Sequence, residues 1–283
     1  MIVFPNSKIN LGLRVFDKRE DGFHNIETVL YPVRWCDALE VIPAGKFSFA
    51  LEGLNIGGDK KENLCIKAYM QLHNKFKIPA VKMCLLKNVP AGAGLGGGSS
   101  DAAFTLMLLN EMFELNLSTS ELKSIAAELG SDCAFFIENK PCFATGRGDQ
   151  LQPVDVDFSS FFILIVFPGI HVSTPWAYEQ LVRQPAQNPV ISGKTNRIET
   201  IEKILKLPIT SWQEKLINDF EEVIFNKHPE IPFIKQQLYH SGALYAAMSG
   251  SGSAVYGIFE HDPPGDLFTT YQCYRGRIGT VPA

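Results

Sequence analysis

The residues between Pro90 and Ser100 have the clearest chemical potential in the sequence, because glycines are concentrated there and two serines follow them. Glycine allows positive φ angles, and successive backbone N–H groups beside a helix N-terminus attract anions. A flexible loop is the alternative, but the strand predicted before the segment and the helix predicted after it favour a phosphate cradle. The expected cradle residues are Pro90, Ala91, Gly92, Ala93, Gly94, Leu95, Gly96, Gly97, Gly98, Ser99 and Ser100.

Several known classes of phosphate-binding loop do not fit this segment. The P-loop pattern G-x-x-x-x-G-K-[ST] does not occur in the chain. Gly92, Gly94 and Gly97 satisfy G-x-G-x-x-G, but a dinucleotide-binding fold needs an acidic residue after a second strand, about 20 residues later. Glu111 and Glu114 fall in or just after the predicted helix instead. A protein kinase would need H-R-D and D-F-G segments, which the sequence lacks.

Two further residues, Lys8 and Asp132, could take part in chemistry, although each has an ordinary structural interpretation. Residues 8–15 alternate between polar and apolar side chains, which predicts a strand with Lys8 and Asn10 on its polar face. A single lysine in such a position is usually exposed to solvent. Asp132 follows a Gly-Ser pair and precedes an apolar segment, so the residues alone favour a helix cap.

The elements that would position these residues alternate between strands and helices in both halves of the chain. Predicted strands cover residues 8–15, 28–33, 38–42, 47–51, 81–86, 143–145 and 161–167, and two more flank residues 248–253. Predicted helices cover residues 63–76, a segment from Asp101, a segment from the Ser118–Glu121 capping box to Gly130, a segment from Thr174, and residues 212–226 and 231–240. This alternation predicts an α+β protein of two layers.

The domain organisation is suggested by one polar segment. Residues 155–160 are polar enough to separate an N-terminal domain with the predicted phosphate cradle, residues 1–155, from a C-terminal domain, residues 156–283. The polar stretch 184–195 is interpreted as a mobile surface loop. Residues 261–283 match no recognised pattern.

Composition limits the function classes that need to be considered. Hydrophobic residues make up 46% of the 283-residue chain, and the net charge of −4 argues against a sequence-independent nucleic-acid binder. No apolar run approaches the roughly 20 residues of a membrane span, and no secretory signal is recognised, so we expect a cytoplasmic protein without a membrane partner. The six cysteines form no C-x-x-C pair, which indicates free thiols. A monomer and a weak homodimer both fit the sequence.

Three motifs together resemble those of one family. GHMP kinases have the signature P-x-x-x-G-L-G-x-S-S, which is similar to P-A-G-A-G-L-G-G-G-S-S here apart from one extra glycine. Their first motif resembles P-N-S-K-I-N-L-G-L near the N-terminus, and their third resembles S-G-S-G-S-A-V-Y from Ser249. The motifs occur in the family's order. The resemblance implies a two-domain fold, with a ribosomal protein S5 domain 2-like N-terminal domain and a ferredoxin-like C-terminal domain.

The same resemblance implies an enzyme that transfers the γ-phosphoryl group of ATP, accompanied by Mg²⁺, to a small-molecule alcohol. Residues 17–24, D-K-R-E-D-G-F-H, resemble the branch that phosphorylates the 2-hydroxyl of a cytidine diphosphate-linked methylerythritol in the non-mevalonate isoprenoid pathway. The alternatives are another acceptor, such as homoserine, mevalonate or a sugar, and a catalytically silent nucleotide-binding module. The silent module should lack Lys8 or Asp132, yet both are present.

Catalytic roles are implied by position within the family's motifs. Asp132 matches the catalytic aspartate, which accepts the proton of the substrate hydroxyl. Lys8 matches the lysine that keeps this aspartate ionised and stabilises charge on the transferring group. Asn10, on the same strand face, is expected to hydrogen-bond the substrate. The metal ligands are poorly marked in the sequence, and Ser100 is a candidate.

Substrate contacts are implied in the same way. Phe23 and His24 match an aromatic–histidine pair that holds cytosine, although tyrosine is usual at position 23. Stacking needs only the face of the ring, so we expect cytidine binding to survive this change. Thr174 matches a threonine on the substrate side, but helix N-capping explains it equally well.

Overall fold

The computed structural model describes residues 1–55, 57, 62–183 and 199–279. Its strands are β1 (Ile2–Val3), β2 (Asn6–Lys18), β3 (His24–Cys36), β4 (Ala38–Pro43), β5 (Ser48–Gly53), β6 (Val81–Lys87), β7 (Cys142–Thr145), β8 (Gln150–Pro153), β9 (Phe162–Phe167), β10 (Tyr245–Met248), β11 (Val255–Phe259) and β12 (Gln272–Arg277). Its helices are α1 (Leu64–Phe76), α2 (Gly97–Met112), α3 (Thr119–Leu129), α4 (Cys133–Glu138), α5 (Thr174–Arg183), α6 (Ile201–Leu205), α7 (Phe220–Lys227) and α8 (Glu230–His240). The loop predicted at residues 184–195 lies outside the described residues.

The strands form three sheets with the orders β1-β4-β6-β5, β2-β3-β7-β8 and β10-β11-β9-β12. Neighbouring strands are antiparallel, except that β5 runs parallel to β6. In the third sheet the strand that comes first along the chain, β9, lies between the third and the fourth. This arrangement agrees with the ferredoxin-like domain implied by the resemblance. The connection from β11 to β12 contains turns instead of a helix.

Three clusters of buried side chains hold the layers together. The first lies between the first sheet and helices α1 to α4, with Leu72, Leu85 and Leu106 among its members. The second includes Ile9 and Ile165, so residues on both sides of the predicted domain boundary share it. The third lies between the third sheet and helices α5, α7 and α8. The position of the domain boundary itself stays a prediction.

Strand β2 is buried on both faces, so the interpretation of Lys8 as a solvent-exposed lysine is wrong. Lys8 and Asn10 are each only 4% exposed. The Lys8 backbone N–H donates to the carbonyl oxygen of Leu95 at 2.9 Å, and the Tyr256 hydroxyl donates to that of Asn10 at 2.8 Å. The polar face of the strand is therefore covered by the glycine-rich loop and by the third motif.

Helix α2 begins at Gly97, four residues before the predicted start at Asp101. Gly96 is the N-cap, with a left-handed φ of +69°, and the Ser100 N–H donates to its carbonyl oxygen at 2.9 Å. The glycines therefore form the first turn of the helix as well as the loop before it.

The helix predicted at residues 212–226 begins only at Phe220. The preceding residues are held by strand β2, because Leu13 N–H donates to the Ile217 carbonyl and Asp219 N–H donates to the Leu13 carbonyl. The Asn218 side-chain amide also donates to two carbonyl oxygens beside the third motif. Tertiary hydrogen bonds thus replace the helical ones that the local sequence favours.

Neither α6 nor β12 was expected from the sequence. Helix α6 is a short element capped by Thr200, whose hydroxyl accepts from Lys203 N–H. Strand β12 lies at the edge of its sheet, and its mostly polar sequence does not alternate clearly between apolar and polar residues. Short or polar elements of this kind depend on their neighbours more than on their own sequence.

The cysteines agree with the compositional expectation. All six cysteines are free thiols, as predicted. Burial raises the pKa of the Cys133 thiol to about 11, which keeps this neighbour of Asp132 protonated. Within the described ranges, no helix has the length and apolar character needed to cross a membrane.

Candidate active site

The glycine-rich loop is fixed by hydrogen bonds from distant parts of the chain. The Ser249 hydroxyl donates to the Gly94 carbonyl at 2.8 Å, and the Lys8 N–H donates to the next carbonyl, that of Leu95, at 2.9 Å. Ala254 N–H donates to the Ala93 carbonyl at 3.1 Å. Consecutive carbonyls are thus engaged by the first and third motifs, so the three motifs of the sequence meet at one place.

The loop requires glycine at particular positions. Gly92, Gly94 and Gly96 have φ angles of +63°, +79° and +69°. A Cβ atom on Gly94 would lie 1.9 Å from the Ser249 carbonyl oxygen, and one on Gly96 would lie 3.1 Å from the Lys8 side chain. The loop is therefore packed tightly against the residues that fix it.

The predicted cradle residues divide into anchors and potential ligands. The side chains of Pro90, Ala93 and Leu95 are buried, so they anchor the loop. The first N–H groups of a helix have no partner within that helix, and at α2 these belong to the glycines and Ser99. Together with the helix dipole they form a site suited to phosphate oxygens.

Gly94→Ala is expected to damage this loop far more than Gly98→Ala. The first substitution places a Cβ against backbone and imposes a left-handed conformation that costs roughly 1–2 kcal/mol by itself. The nearest atom to a Cβ on Gly98 is 4.0 Å away, so the second should be neutral or slightly stabilising. Thermal unfolding and the Kd for ATP check both variants. Equal effects of the two substitutions would contradict the packing described here.

Lys8 and Asp132 come together, although they are far apart in the sequence. The Lys8 Nζ lies 3.5 Å from Asp132 Oδ2, and it donates to Asn10 Oδ1 at 2.5 Å. Asn10 in turn donates through Nδ2 to the Thr28 hydroxyl at 3.0 Å. The amide of Asn10 therefore aims the ammonium group of Lys8 toward the carboxylate.

Asp132 does not act as the helix cap that its local sequence suggested. It occupies the N-cap position of α4, but its side chain makes no capping hydrogen bond. The side chain of Asp132 is 32% exposed, whereas that of Lys8 is only 5% exposed. A partly accessible carboxylate beside a buried cation is suited to accept a proton from a bound hydroxyl group.

A cavity of about 760 Å³ lies beside this pair and brings together Phe23, His24 and Thr174. Ser131, the neighbour of Asp132 in sequence, also lines it. Burial raises the pKa of Tyr178, another lining residue, to about 12, with the Asp132 carboxylate as the second cause. The cavity therefore extends to the vicinity of the Lys8–Asp132 pair.

The aromatic wall of the cavity contains a residue that sequence reasoning missed. The Tyr178 ring stacks on His24, with ring centroids 5.2 Å apart and an interplanar angle of 16°. The carbonyl oxygen of Phe16 accepts a hydrogen bond from His24 Nδ1 at 2.8 Å. Neutral His24 therefore carries its proton on Nδ1, and Nε2 is an acceptor. The four-residue spacing of Thr174 and Tyr178 on one helix was the available signal.

Arg147 is a second lining residue that the sequence did not single out. Its guanidinium lies 5.1 Å from the centre of the Phe23 ring and pairs with Asp149 at 3.2 Å. Phe23 itself is 56% exposed, so its outer face remains accessible. The signal in the sequence was the position of this arginine between two glycines, Gly146 and Gly148.

Thr174 does not cap its helix. The Ser173 hydroxyl accepts from Trp176 N–H, and the Ser173 carbonyl accepts from Ala177 N–H. The Thr174 hydroxyl instead lies 2.8 Å from the hydroxyl of Ser251 in the third motif. The capping interpretation of Thr174 is therefore wrong, and the residue lies at the junction of the cavity and the loops.

Two family descriptions match the chain in the order expected from this geometry. GHMP kinases N terminal domain matches residues 63–140, which contain the glycine-rich loop and Asp132. GHMP kinases C terminal matches residues 194–269, which contain the third motif. The chain belongs to the GHMP kinase family. Membership implies the use of ATP, and the predicted α+β GHMP kinase fold is confirmed.

Several relatives of this GHMP kinase are similar over almost their whole length. A Cytophaga hutchinsonii protein named 4-diphosphocytidyl-2-C-methyl-D-erythritol kinase is 49% identical over 93% of this chain and 94% of its own. Proteins of the same name from Bacteroides thetaiotaomicron and Parabacteroides distasonis are 47% and 44% identical, each covering 98% of this chain and 100% of the relative.

Solved structures of GHMP kinases show the same fold. A crystal structure of 4-(cytidine 5'-diphospho)-2C-methyl-D-erythritol kinase has a TM-score of 0.80 and 30% identity, covering 99% of both chains. The Methanococcus jannaschii mevalonate kinase has a TM-score of 0.71 over 99% of this chain and 98% of its own. Its sequence identity is 15%, so that likeness concerns the fold alone.

Proposed function

We propose that this GHMP kinase transfers the γ-phosphoryl group of ATP to the 2-hydroxyl of 4-diphosphocytidyl-2-C-methyl-D-erythritol, within the non-mevalonate isoprenoid precursor pathway. The observation that carries the proposal is the aromatic-lined cavity beside the Lys8–Asp132 pair. The shared name of the full-length relatives supports the same substrate. Mevalonate and homoserine kinases are similar in fold at 15% and 13% identity, which does not favour their acceptors.

Two side chains, Asp132 and Lys8, are proposed to carry out the transfer step. The Asp132 carboxylate accepts the proton as the O–H bond of the 2-hydroxyl breaks and the new O–P bond forms. The bond between the γ-phosphorus and the bridging oxygen of ATP breaks, and ADP leaves. The Lys8 ammonium, 3.5 Å from Asp132, pairs with that carboxylate and stabilises negative charge on the transferring group.

Asn10 is proposed to act mainly through Lys8. We predicted a contact between Asn10 and the substrate, but its Oδ1 accepts from Lys8 and its Nδ2 donates to Thr28. Both ends of the amide therefore have protein partners in the described structure. This arrangement supports a role in orienting the ammonium group, and contact with the substrate stays a prediction.

Mg²⁺ is proposed to accompany ATP and to neutralise charge on its phosphates. Among the described residues, no group of three or more His, Cys, Asp or Glu could hold a metal ion. Mg²⁺ usually keeps several waters and binds through few protein ligands plus the phosphates. The Ser100 hydroxyl is buried without a hydrogen-bond partner in the described part of the chain, so it fits as one protein oxygen.

The cavity offers cytosine both a stacking surface and a hydrogen-bond acceptor. His24 Nε2 is available because Nδ1 is bound to the Phe16 carbonyl. Cytosine presents an exocyclic amino group as a donor, which matches an acceptor at this position. Phe23, which is 56% exposed, supplies a ring face on which a base can stack. This combination supports a substrate that carries cytidine over an alcohol substrate that lacks a nucleobase.

Phe23→Ala is expected to raise the KM for the cytidine substrate by about 5- to 150-fold, because stacking contributes roughly 1–3 kcal/mol per base. Phe23→Tyr, which restores the residue usual in the family, should keep the ring face and change this KM little. The KM for ATP should not change in either variant. Steady-state kinetics with each substrate varied in turn checks these values; equal KM values for Phe23→Ala and the unchanged protein would remove Phe23 from the binding site.

The cellular setting is proposed on the same basis. The six free thiols support a reducing compartment, in agreement with the predicted cytoplasmic location. The proposed partner is the small-molecule substrate, without nucleic acid or membrane. A monomer and a weak homodimer both fit the proposal.

The experiment that tests the proposed reaction identifies its product. The protein is incubated with Mg²⁺-ATP and 4-diphosphocytidyl-2-C-methyl-D-erythritol, and phosphorus NMR locates the new phosphate. A phosphate on the 2-hydroxyl supports the proposal. A phosphate on another hydroxyl, or ATP binding without any product, would contradict it.

A further inference from the structure

Three ionisable side chains lie buried behind the glycine-rich loop, and none takes part in the chemistry proposed above. Lys87, Asp37 and Asp101 are 3%, 2% and 3% exposed. The Lys87 Nζ donates to Asp37 Oδ2 and, at 2.8 Å, to Asp101 Oδ2. Apolar residues of similar volume often stabilise a fold as well as a buried ion cluster does. The position of these charges is therefore more informative than their contribution to stability.

The cluster contacts both ends of the loop. Lys87 is the last residue of β6. Asp37 Oδ1 accepts from the backbone N–H groups of Asn88 at 2.6 Å and Val89 at 2.8 Å, which lead into the loop. Asp101 lies near the start of α2, directly after the loop. One ammonium group thus connects the segment that enters the loop to the helix that leaves it.

Lys87 also lies directly against the backbone of the cradle. A Cβ atom on Gly97, the first residue of α2, would be only 3.3 Å from Lys87 Nζ. Asp101 Oδ1 is buried and has no hydrogen-bond partner in the described part of the chain. The Asp101 carboxyl group accepts a hydrogen bond from Lys87 through its other oxygen, Oδ2. The placement of the helix N-terminus relative to β6 depends on this contact.

We propose that Asp37, Lys87 and Asp101 are positioning residues that preorganise the phosphate cradle for the nucleotide. This assignment depends on the proposed function, because it requires that the cradle binds the phosphates of ATP. A loop that is already ordered loses less conformational freedom when the ligand binds, so its affinity is higher. Disrupting the cluster therefore weakens nucleotide binding more than it slows the transfer step at saturating nucleotide.

The variant Asp101→Asn tests this role with little change in shape. It replaces the carboxyl group that accepts from the Lys87 ammonium with a neutral amide, which is a weaker acceptor. We expect the Kd and the KM for ATP to increase about tenfold, the size of effect for a hydrogen bond to a charged group. The kcat at saturating ATP and the KM for the alcohol should change little. Calorimetric titration with ATP and steady-state kinetics give these values.

A matched control separates positioning from general loss of stability. Ile234 is fully buried in the third cluster, and Ile234→Ala leaves a cavity there that lowers thermal stability. It should leave the Kd for ATP unchanged. If Asp101→Asn lowered the unfolding temperature as this control does and also left the Kd for ATP unchanged, the cluster would be purely structural and the inference would be overturned.

Two further provisions keep the test decisive. If Asp101→Asn does not fold, the triple variant Asp37→Asn, Lys87→Met, Asp101→Asn removes all of the buried charges together and leaves none unpaired. The same increase in the Kd for ATP is expected of it, and an unchanged Kd would overturn the inference. Direct titration needs no acceptor, so protein that binds ATP but does not phosphorylate the cytidine substrate would count against the proposed function alone.

Discussion

Asp132→Asn is expected to lower kcat by roughly 10²- to 10⁴-fold, the contribution of a positioned general base. Asparagine keeps the shape of the side chain, but its amide cannot accept the proton of the substrate hydroxyl. Lys8 Nζ, 3.5 Å from Asp132 Oδ2, would then lie beside a neutral group. ADP release at saturating concentrations of both substrates measures the effect.

Folding and ATP binding should survive this substitution. The Asp132 side chain makes no capping hydrogen bond and is 32% exposed, so the unfolding temperature and the Kd for ATP should remain close to their original values. Asp155→Asn is a suitable control, because Asp155 is an exposed aspartate away from the cavity, and it should leave kcat unchanged. A near-normal kcat in Asp132→Asn would remove Asp132 from the role of base.

Lys8→Met is expected to lower kcat by about 10²- to 10³-fold, the loss seen when one preorganised electrostatic contact to a transition state is removed. Methionine fills much of the space that the lysine stem occupies between β2 and the loop. The substitution removes the ammonium that contacts Asp132 and Asn10. The expected loss is in kcat more than in the KM for either substrate, and steady-state kinetics distinguishes the two.

The unfolding temperature gives a second readout for the same variant. Lys8→Met should lower kcat even where the unfolding temperature changes little, because the cation 3.5 Å from Asp132 is lost. A purely structural lysine would lower the unfolding temperature and leave kcat in place. That result would contradict the catalytic role of Lys8.

The glycine-rich loop could be predicted from the sequence because its requirements are local. Positive φ angles at Gly92, Gly94 and Gly96 restrict those positions to glycine in any fold that uses this cradle. The three motifs could likewise be recognised as a set, and the structure brings them together at the Gly94 and Leu95 carbonyls. The start of α2 was placed too late because glycine has a low helix propensity.

The remainder of the site depends on contacts between distant residues, which the sequence does not show. From the local sequence, Asp132 was interpreted as a helix cap and Lys8 as an exposed lysine. The burial of β2 and the 3.5 Å distance between Lys8 Nζ and Asp132 Oδ2 overturn both interpretations. In the sequence Tyr178 is one tyrosine in a predicted helix, and its stacking on His24 is seen only in the structure. The Lys87 cluster was overlooked for the same reason, since its three members come from separate elements.

The central claim, that the cavity selects a cytidine-linked alcohol, is tested most directly by comparing kcat/KM across acceptors. Purified protein with Mg²⁺-ATP is assayed for ADP release with 4-diphosphocytidyl-2-C-methyl-D-erythritol, with the analogue that lacks the cytidine half, and with mevalonate, homoserine and galactose. We expect turnover confined to the full cytidine substrate, with kcat/KM for the truncated analogue lower by at least about 100-fold, because binding energy from the base contributes to the rate. Comparable turnover of the truncated analogue, or of mevalonate, homoserine or galactose, would contradict the claim.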